Sequence, residues 1–153
     1  DVPFRVRILG EGPQREKLER VIAKKHLAGL VELAGHCPDV PAALAQADVY
    51  VSPSRTETMS LAVLEAMAAG LPVAATEASA ALVADCGLTA PYGDVSAFSD
   101  VLKRLLEDDT LRETLGNRAA RRRFDRNETC RRTAELYQRS LKHGTEEEKM
   151  EHR

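Results

Sequence analysis

The chain has 153 residues, an ordinary length for one domain with a buried core. Its hydrophobic content of 43% and charged content of 30% are typical of soluble globular proteins. The net charge of −2 argues against nucleic acid as the main partner, because nucleic-acid binding depends on basic surface. The longest apolar run, at 61–75, contains a charge, a glycine and a proline, which argues against a membrane span.

Strand and helix patterns alternate along the chain. Strands are predicted at 4–9, 30–34, 48–52 and 72–76, with a short fifth strand at 88–90, and helices at 14–26, 40–47, 60–69, 95–107, 110–124 and 128–143. The polar tail at 144–153 has little to bury and is predicted to be disordered. With strands apolar on both faces, this order predicts an α/β fold, namely a Rossmann-like doubly wound parallel sheet with helices on both faces.

The three cysteines, Cys37, Cys86 and Cys130, are odd in number and widely spaced, so they match no disulfide framework or zinc pattern. We interpret them as free thiols in a reducing compartment, and the adjacent His36 and Cys37 as loop residues. The sequence therefore predicts a cytoplasmic protein. Because the sequence also contains no Asp-x-Asp pair, no metal or other cofactor is expected. Its first residue is Asp1 instead of methionine, which predicts a fragment boundary.

Ligands of doubly wound sheets bind beyond the carboxyl ends of the strands. The loops that follow the first four predicted strands should therefore line one crevice; they are 10–12, 35–39, 53–60 and 76–80. Glu57 and the start of the helix at 60–69 are expected at its mouth. Free backbone N–H groups at that helix start favour an anion such as a diphosphate, and the Ser60 hydroxyl is predicted to cap the helix.

Glu65 is the only charged residue between positions 58 and 76. A carboxylate buried in such surroundings needs a partner, so Glu65 and Glu57 together predict a pocket that binds hydroxyl groups. The alternative is that Glu65 lies on a solvent-facing edge of its helix. Spacing alone decides little, because Glu11 and Glu19 have the same separation and Glu19 lies on an ordinary charged helix face.

Two further patterns have competing interpretations. Gly10 and Gly12 begin like a dinucleotide fingerprint, but Arg15 stands at the third glycine position, so NAD binding is not predicted. The glycines instead indicate a tight turn with a ligand contact. A basic block comprises Arg118, Arg121, Arg122, Arg123, Arg126, Arg131 and Arg132. We interpret it as a solvated helical surface, with peripheral contact to an anionic membrane as the alternative.

Four motifs share the order and spacing of one known family. They are GEGP at 10–13, LAG at 33–35, ADVYVSPS at 47–54 and, after Glu57, LEAMAAGLPV at 64–73. In these motifs the chain resembles the C-terminal, donor-binding domain of group 1 (family 4) glycosyltransferases, which have the GT-B fold. The resemblance covers residues 4–140. It implies a donor-binding domain at 1–143, truncated at its N-terminus, followed by the tail at 144–153.

The resemblance implies a retaining, metal-independent enzyme that moves sugar from a nucleotide-sugar, linked to UDP, GDP or ADP, to an unknown acceptor. Glu57 would contact the donor sugar near the reacting centre, and Glu65 would hold the ribose hydroxyls. The remaining implied donor contacts are Gly10, Gly12, the base-flanking loop of Gly35, His36 and Cys37, and the main-chain N–H groups of Met59, Ser60 and Leu61.

The chain departs from the family in several places. Thr58, Met59 and Ser60 replace a common Gly-Phe-Gly, and 78–80 replaces a common glycine pair. The family's arginine and lysine for the diphosphate, and its N-terminal acceptor-binding domain, have no counterpart in this sequence. The resemblance thus implies that the chain alone is inactive. The alternative function is a non-catalytic nucleotide- or sugar-binding module with the same type of fold.

Overall fold

The structure is a computed structural model that describes residues 2–122. The strands are β1 (Val6–Leu9), β2 (Val31–Gly35), β3 (Tyr50–Ser52), β4 (Val73–Thr76) and β5 (Gly87–Ala90). The helices are α1 (Arg15–Lys24), α2 (Val40–Leu44), α3 (Leu61–Ala68), α4 (Ala80–Val83), α5 (Val95–Glu107) and α6 (Asp109–Arg121). Residues 2–121 belong to one compact unit. The predicted helix at 128–143, the tail, the predicted domain boundary at 143 and Cys130 lie outside the described residues.

The predicted fold class is confirmed, because parallel strands alternate with helices that lie on both sides of them. The expectation of one continuous sheet is wrong for the described residues. β1 pairs with β2 in one sheet, and β3, β4 and β5 form a second sheet in that order. All three strand pairs are parallel.

The core lies around β4, in which all four residues are buried. Val73 and Ala75 point to one side of the strand, where they pack with Val63 and Met67 of α3. Ala74 points to the other side and packs with residues of α5 and α6. This central strand is apolar on both faces, as expected for a parallel strand between two helical layers.

The β1–β2 sheet has only one apolar face, contrary to the expectation from the sequence. Val6 and Ile8 pair in register with Val31 and Leu33 on one face. On the other face Arg7 and Glu32 are paired, with 3.1 Å between Nε and Oε2, and both side chains are solvent-exposed. Charged and apolar side chains alternate along β1, so no apolar layer covers the face that carries Arg7 and Glu32.

The starts of α2 and α5 are defined by side-chain caps. Asp39 and Asp94 accept hydrogen bonds from the N–H groups of Ala42 and Ala97, each at 2.9 Å. Such caps satisfy donors that have no partner within the helix.

Among the described residues, no helix is both long and apolar enough to cross a membrane.

Candidate functional site

The loops that follow β1 and β2 meet at two glycines. The N–H of Gly10 donates a hydrogen bond of 2.7 Å to the carbonyl of Gly35. Both residues have positive φ, +113° and +72°, a backbone conformation that glycine adopts without strain. The structure thus brings Gly10, Gly12 and the loop of His36 and Cys37 to the same end of the first sheet. The thiol of Cys37 is free and half-buried.

Arg15 fixes the Gly10–Gly12 loop. Its guanidinium contacts Glu11 at 2.7 Å and Glu19 at 3.0 Å and donates to the carbonyl of Leu33 at 3.2 Å. Glu19, interpreted from the sequence as part of a solvated face, thus holds Arg15 in place. These ion pairs are more than one-third exposed, so we assign them a positioning role and little stability.

The second group of predicted site residues surrounds the start of α3. The Ser60 hydroxyl accepts a hydrogen bond of 3.4 Å from the N–H of Val63, which confirms the predicted cap. Met59 and Leu61 are each 66% exposed, so no core packing covers this helix start. The first-turn N–H groups before Val63 are therefore open to an anionic ligand.

Glu65 is exposed, and the expectation that its carboxylate is buried is wrong. The reason is geometric. α3 buries Val63, Ala66 and Met67, and Glu65 falls on the opposite side of this short helix. Glu57 is half-buried in the loop that precedes α3. Glu65 is therefore accessible to a ligand without any rearrangement of the core.

Tyr50 is a site residue that the sequence analysis missed. Burial raises the pKa of its phenol above the ordinary value of 10.0, and the charges of Glu57 and then Glu65 raise it further. Both carboxylates thus act on one hydroxyl. The only signal in the sequence was the place of Tyr50 in a strand pattern, which did not show that the charges of the two glutamates act on its hydroxyl.

Titration of Tyr50 tests this arrangement. Because the folded state holds the phenolic proton more tightly than the unfolded state, this contribution to stability is complete below about pH 10 and is lost above it. NMR of ring-labelled tyrosine should show ionisation of Tyr50 at higher pH than in the unfolded chain. Glu57→Gln should lower the midpoint, whereas Glu113→Gln on α6 should not. An unchanged midpoint in Glu57→Gln would contradict the effect of the Glu57 charge on the pKa of Tyr50.

The loop that carries Glu57 is tied to the centre of the second sheet. The hydroxyl of Thr76, at the end of β4, donates to the backbone carbonyl of Ser54. Thr76 is buried, so little water competes for this bond. Nearby, the buried hydroxyl of Ser79 has no hydrogen-bond partner among the described residues. The Thr76–Ser54 bond therefore holds the start of the Glu57 loop against β4.

The predicted site residues thus form two groups. Gly10, Gly12, Gly35, His36 and Cys37 lie at the end of the first sheet, and Glu57, Met59, Ser60, Leu61 and Glu65 lie around the start of α3. Within residues 2–122, no three His, Cys, Asp or Glu side chains are placed to hold a metal ion. A parallel α/β fold with loops and a helix start at the carboxyl ends of its strands belongs to the class of doubly wound domains, whose ligands bind at those strand ends.

The comparison with known families identifies the particular family. Residues 1–108 match the model for "Glycosyl transferases group 1", so the chain belongs to this family. It is 35% identical to the sulfoquinovosyl transferase SQD2 of Arabidopsis thaliana over 75% of its length. The predicted membership of the group 1 glycosyltransferases is thereby confirmed.

Solved structures agree with this assignment. The glycosyltransferase WaaG, involved in lipopolysaccharide biosynthesis, matches 76% of the chain with a TM-score of 0.68 and 28% identity. Staphylococcus aureus TarM, solved with fondaparinux, α-GlcNAc-glycerol and UDP, matches 76% with a TM-score of 0.73 and 25% identity. The chain spans 24% of SQD2, 32% of WaaG and 24% of TarM, so it corresponds to a minor part of each.

Proposed function

We propose that this chain is the donor-binding part of a retaining, metal-independent glycosyltransferase that moves a sugar from a nucleotide-sugar to an acceptor. The observation that carries the proposal is the start of α3, where uncovered N–H groups lie between the half-buried Glu57 and the exposed Glu65. An anion and several hydroxyl groups are the two features that a nucleotide-sugar presents together.

The two glutamates have separate roles. The carboxylate of Glu65, which is open to solvent, accepts hydrogen bonds from the ribose hydroxyls of the nucleotide. Glu57, tied to β4 through the Thr76–Ser54 bond, contacts hydroxyls of the donor sugar near the reacting carbon. An ionised carboxylate is a strong acceptor, and the bonds it accepts are stronger than those between neutral groups.

The start of α3 binds the part of the donor that leaves. The main-chain N–H groups of Met59, Ser60 and Leu61 face the sugar and the distal phosphate. When the bond between the anomeric carbon and the phosphate oxygen breaks, the electron pair stays with that oxygen. Fixed N–H dipoles stabilise this charge without the cost of reorienting water. No Asp-x-Asp pair that would bridge a metal to the diphosphate occurs in the sequence, which supports metal-independence.

The loops at the end of the first sheet bind the nucleobase end of the donor. Gly35, His36 and Cys37 flank the base, and Gly10 and Gly12 allow close approach of the backbone. The side chain of His36 is exposed, and a Cβ on Gly10 or Gly12 would meet no atom within 4 Å. Space is thus available at Gly10 and Gly12, whereas at Gly35 the Glu11 carboxylate is close, since a Cβ there would lie 2.6 Å from its Oε1.

The chain alone is expected to bind nucleotide-sugars without turning them over. The reason is that acceptor recognition would require a separate acceptor-binding domain, as the family resemblance implies. The measurement is a transfer assay with UDP-, GDP- and ADP-linked sugars, in which released nucleoside diphosphate is quantified. Release by this chain above that of a Glu57→Gln control would overturn the division of function between two domains.

A further inference from the structure

The carboxylate of Glu11 lies against the loop that flanks the nucleobase in the proposed function. Its Oε1 is 2.6 Å from the place that a Cβ on Gly35 would occupy, so the absence of a side chain at position 35 leaves room for the carboxylate. The bond of 2.7 Å from Gly10 N–H to the carbonyl of Gly35 joins the two loops. A negatively charged acceptor group is therefore placed beside the first residue of the base-flanking loop.

Arg15 holds Glu11 in this position. Its Nη1 donates to Oε1 of Glu11 at 2.7 Å, its Nε donates to Glu19 at 3.0 Å, and its Nη2 donates to the carbonyl of Leu33 at 3.2 Å. The guanidinium is thus fixed by α1 and β2 as well as by Glu11. Because the Glu11 side chain is 54% exposed, the ion pair contributes little stability, and its effect is on the position of the carboxylate.

Glu11 has acceptor capacity left for a ligand. Oε1 accepts from Arg15, and Oε2 accepts no hydrogen bond from any described residue. Each carboxylate oxygen has two lone pairs, so Oε1 can accept a second bond beside that of Arg15. A carboxylate accepts hydrogen bonds and donates none. A ligand must therefore bring N–H or O–H donors to Glu11.

A cavity of about 220 Å³ opens beside Glu11. Its lining combines Glu11 and Arg15 with the apolar residues Ile8, Leu18 and Leu33. Pockets for whole drug-sized ligands are commonly larger, at about 300–1,000 Å³, so this cavity suits a single ring system better than an entire nucleotide. A planar ring with donor groups along one edge matches the apolar lining and the carboxylate together.

We propose that Glu11 selects guanine as the base of the nucleotide-sugar, an inference that rests on the proposed function of the chain in donor binding. Guanine carries two adjacent donors, its ring N–H and its 2-amino group, which match the two oxygens of one carboxylate. Uracil presents one N–H between two carbonyl oxygens, and adenine presents its amino group beside a ring nitrogen that accepts. These acceptors repel the carboxylate, so both attraction and repulsion favour a GDP-linked sugar.

Calorimetry with GDP, UDP and ADP measures this selection on the whole chain. We expect GDP to bind at least about 10-fold more tightly than UDP or ADP, as for hydrogen bonds to a charged group. Inosine diphosphate differs from GDP only in lacking the 2-amino group, and it should bind roughly 10-fold more weakly than GDP. Glu11→Gln should largely abolish the difference between GDP and inosine diphosphate. Glu16→Gln, a change of an exposed glutamate on α1, should preserve it.

The outcomes separate this inference from the function on which it rests. Equal affinities of the parent for GDP and inosine diphosphate would overturn selection by Glu11, while binding of either nucleotide would still support a donor site. A GDP preference that persists in Glu11→Gln would also overturn the role of Glu11. Failure of all four nucleotides to bind would contradict the proposed function as well. The comparison of GDP with inosine diphosphate uses the unchanged protein, so it does not depend on the folding of a variant.

Discussion

Gly87→Ala is expected to destabilise the chain by at least about 3 kcal/mol, a large part of the total stability of a domain of this size. A Cβ on Gly87 would lie 2.1 Å from the carbonyl oxygen of Val73 and 2.8 Å from a methyl carbon of Val83. The carbonyl belongs to the central strand β4, which is packed between two helical layers and has little freedom to move. Relief of the clash therefore requires separation of β4 from β5.

Urea unfolding followed by circular dichroism measures the loss. Gly12→Ala is the matched control, because a Cβ at Gly12 would meet nothing within 4 Å. Its free energy of unfolding should stay within about 0.5 kcal/mol of the parent. Gly116→Ala should behave like Gly87→Ala, since its Cβ would lie 2.3 Å from the carbonyl oxygen of Gly70. A Gly87→Ala chain as stable as Gly12→Ala would contradict the packing of β5 on β4.

Glu65→Ala is expected to weaken nucleoside diphosphate binding by roughly 5- to 150-fold. This range corresponds to the 1–3 kcal/mol lost when hydroxyl groups are left without a hydrogen-bond partner. Because Glu65 is exposed and lies opposite the buried side of α3, its removal should leave the fold intact. The variant thus separates a loss of ligand contacts from a loss of structure.

Calorimetry or an NMR titration with UDP, GDP and ADP provides the affinities. Glu113→Ala is the matched control, an exposed glutamate on α6 for which we propose no ligand. It should bind like the parent, and 2′-deoxynucleotides should reduce the difference between the parent and Glu65→Ala. Equal affinities of Glu65→Ala and the parent would remove the ribose role of Glu65.

The bounds of a helix were predictable where its amphipathic pattern and its capping residue indicated the same start. α5 begins and ends at the predicted residues because Asp94 caps an amphipathic helix of regular period. The region after β4 was not predicted as helical. It contains a 3₁₀ turn at Glu77–Ser79 and α4, both too short for a periodic pattern. Such short elements depend on tertiary packing, which local sequence does not encode.

The candidate site was predictable in its position and not in its environment. The cap at Ser60 and the meeting of the Gly10 and Gly35 loops follow from local rules of helices and parallel strands. The exposure of Glu65 depends on which side of α3 contacts β4. Because α3 has apolar residues on all sides, its sequence does not show which side that is. The separation of the sheet into two parts depends on strand pairing, which is a non-local property.

The most direct test of the central claim is to map nucleotide binding on the chain by amide chemical shifts. UDP, GDP and ADP are titrated separately into the isotopically labelled protein. We expect at least one of them to shift the amides of residues 35–37 and 59–61 together, with Glu65 among the perturbed residues and α6 unaffected. The absence of binding by all three nucleotides, or shifts confined to the α5–α6 junction, would contradict a nucleotide-sugar site at the start of α3.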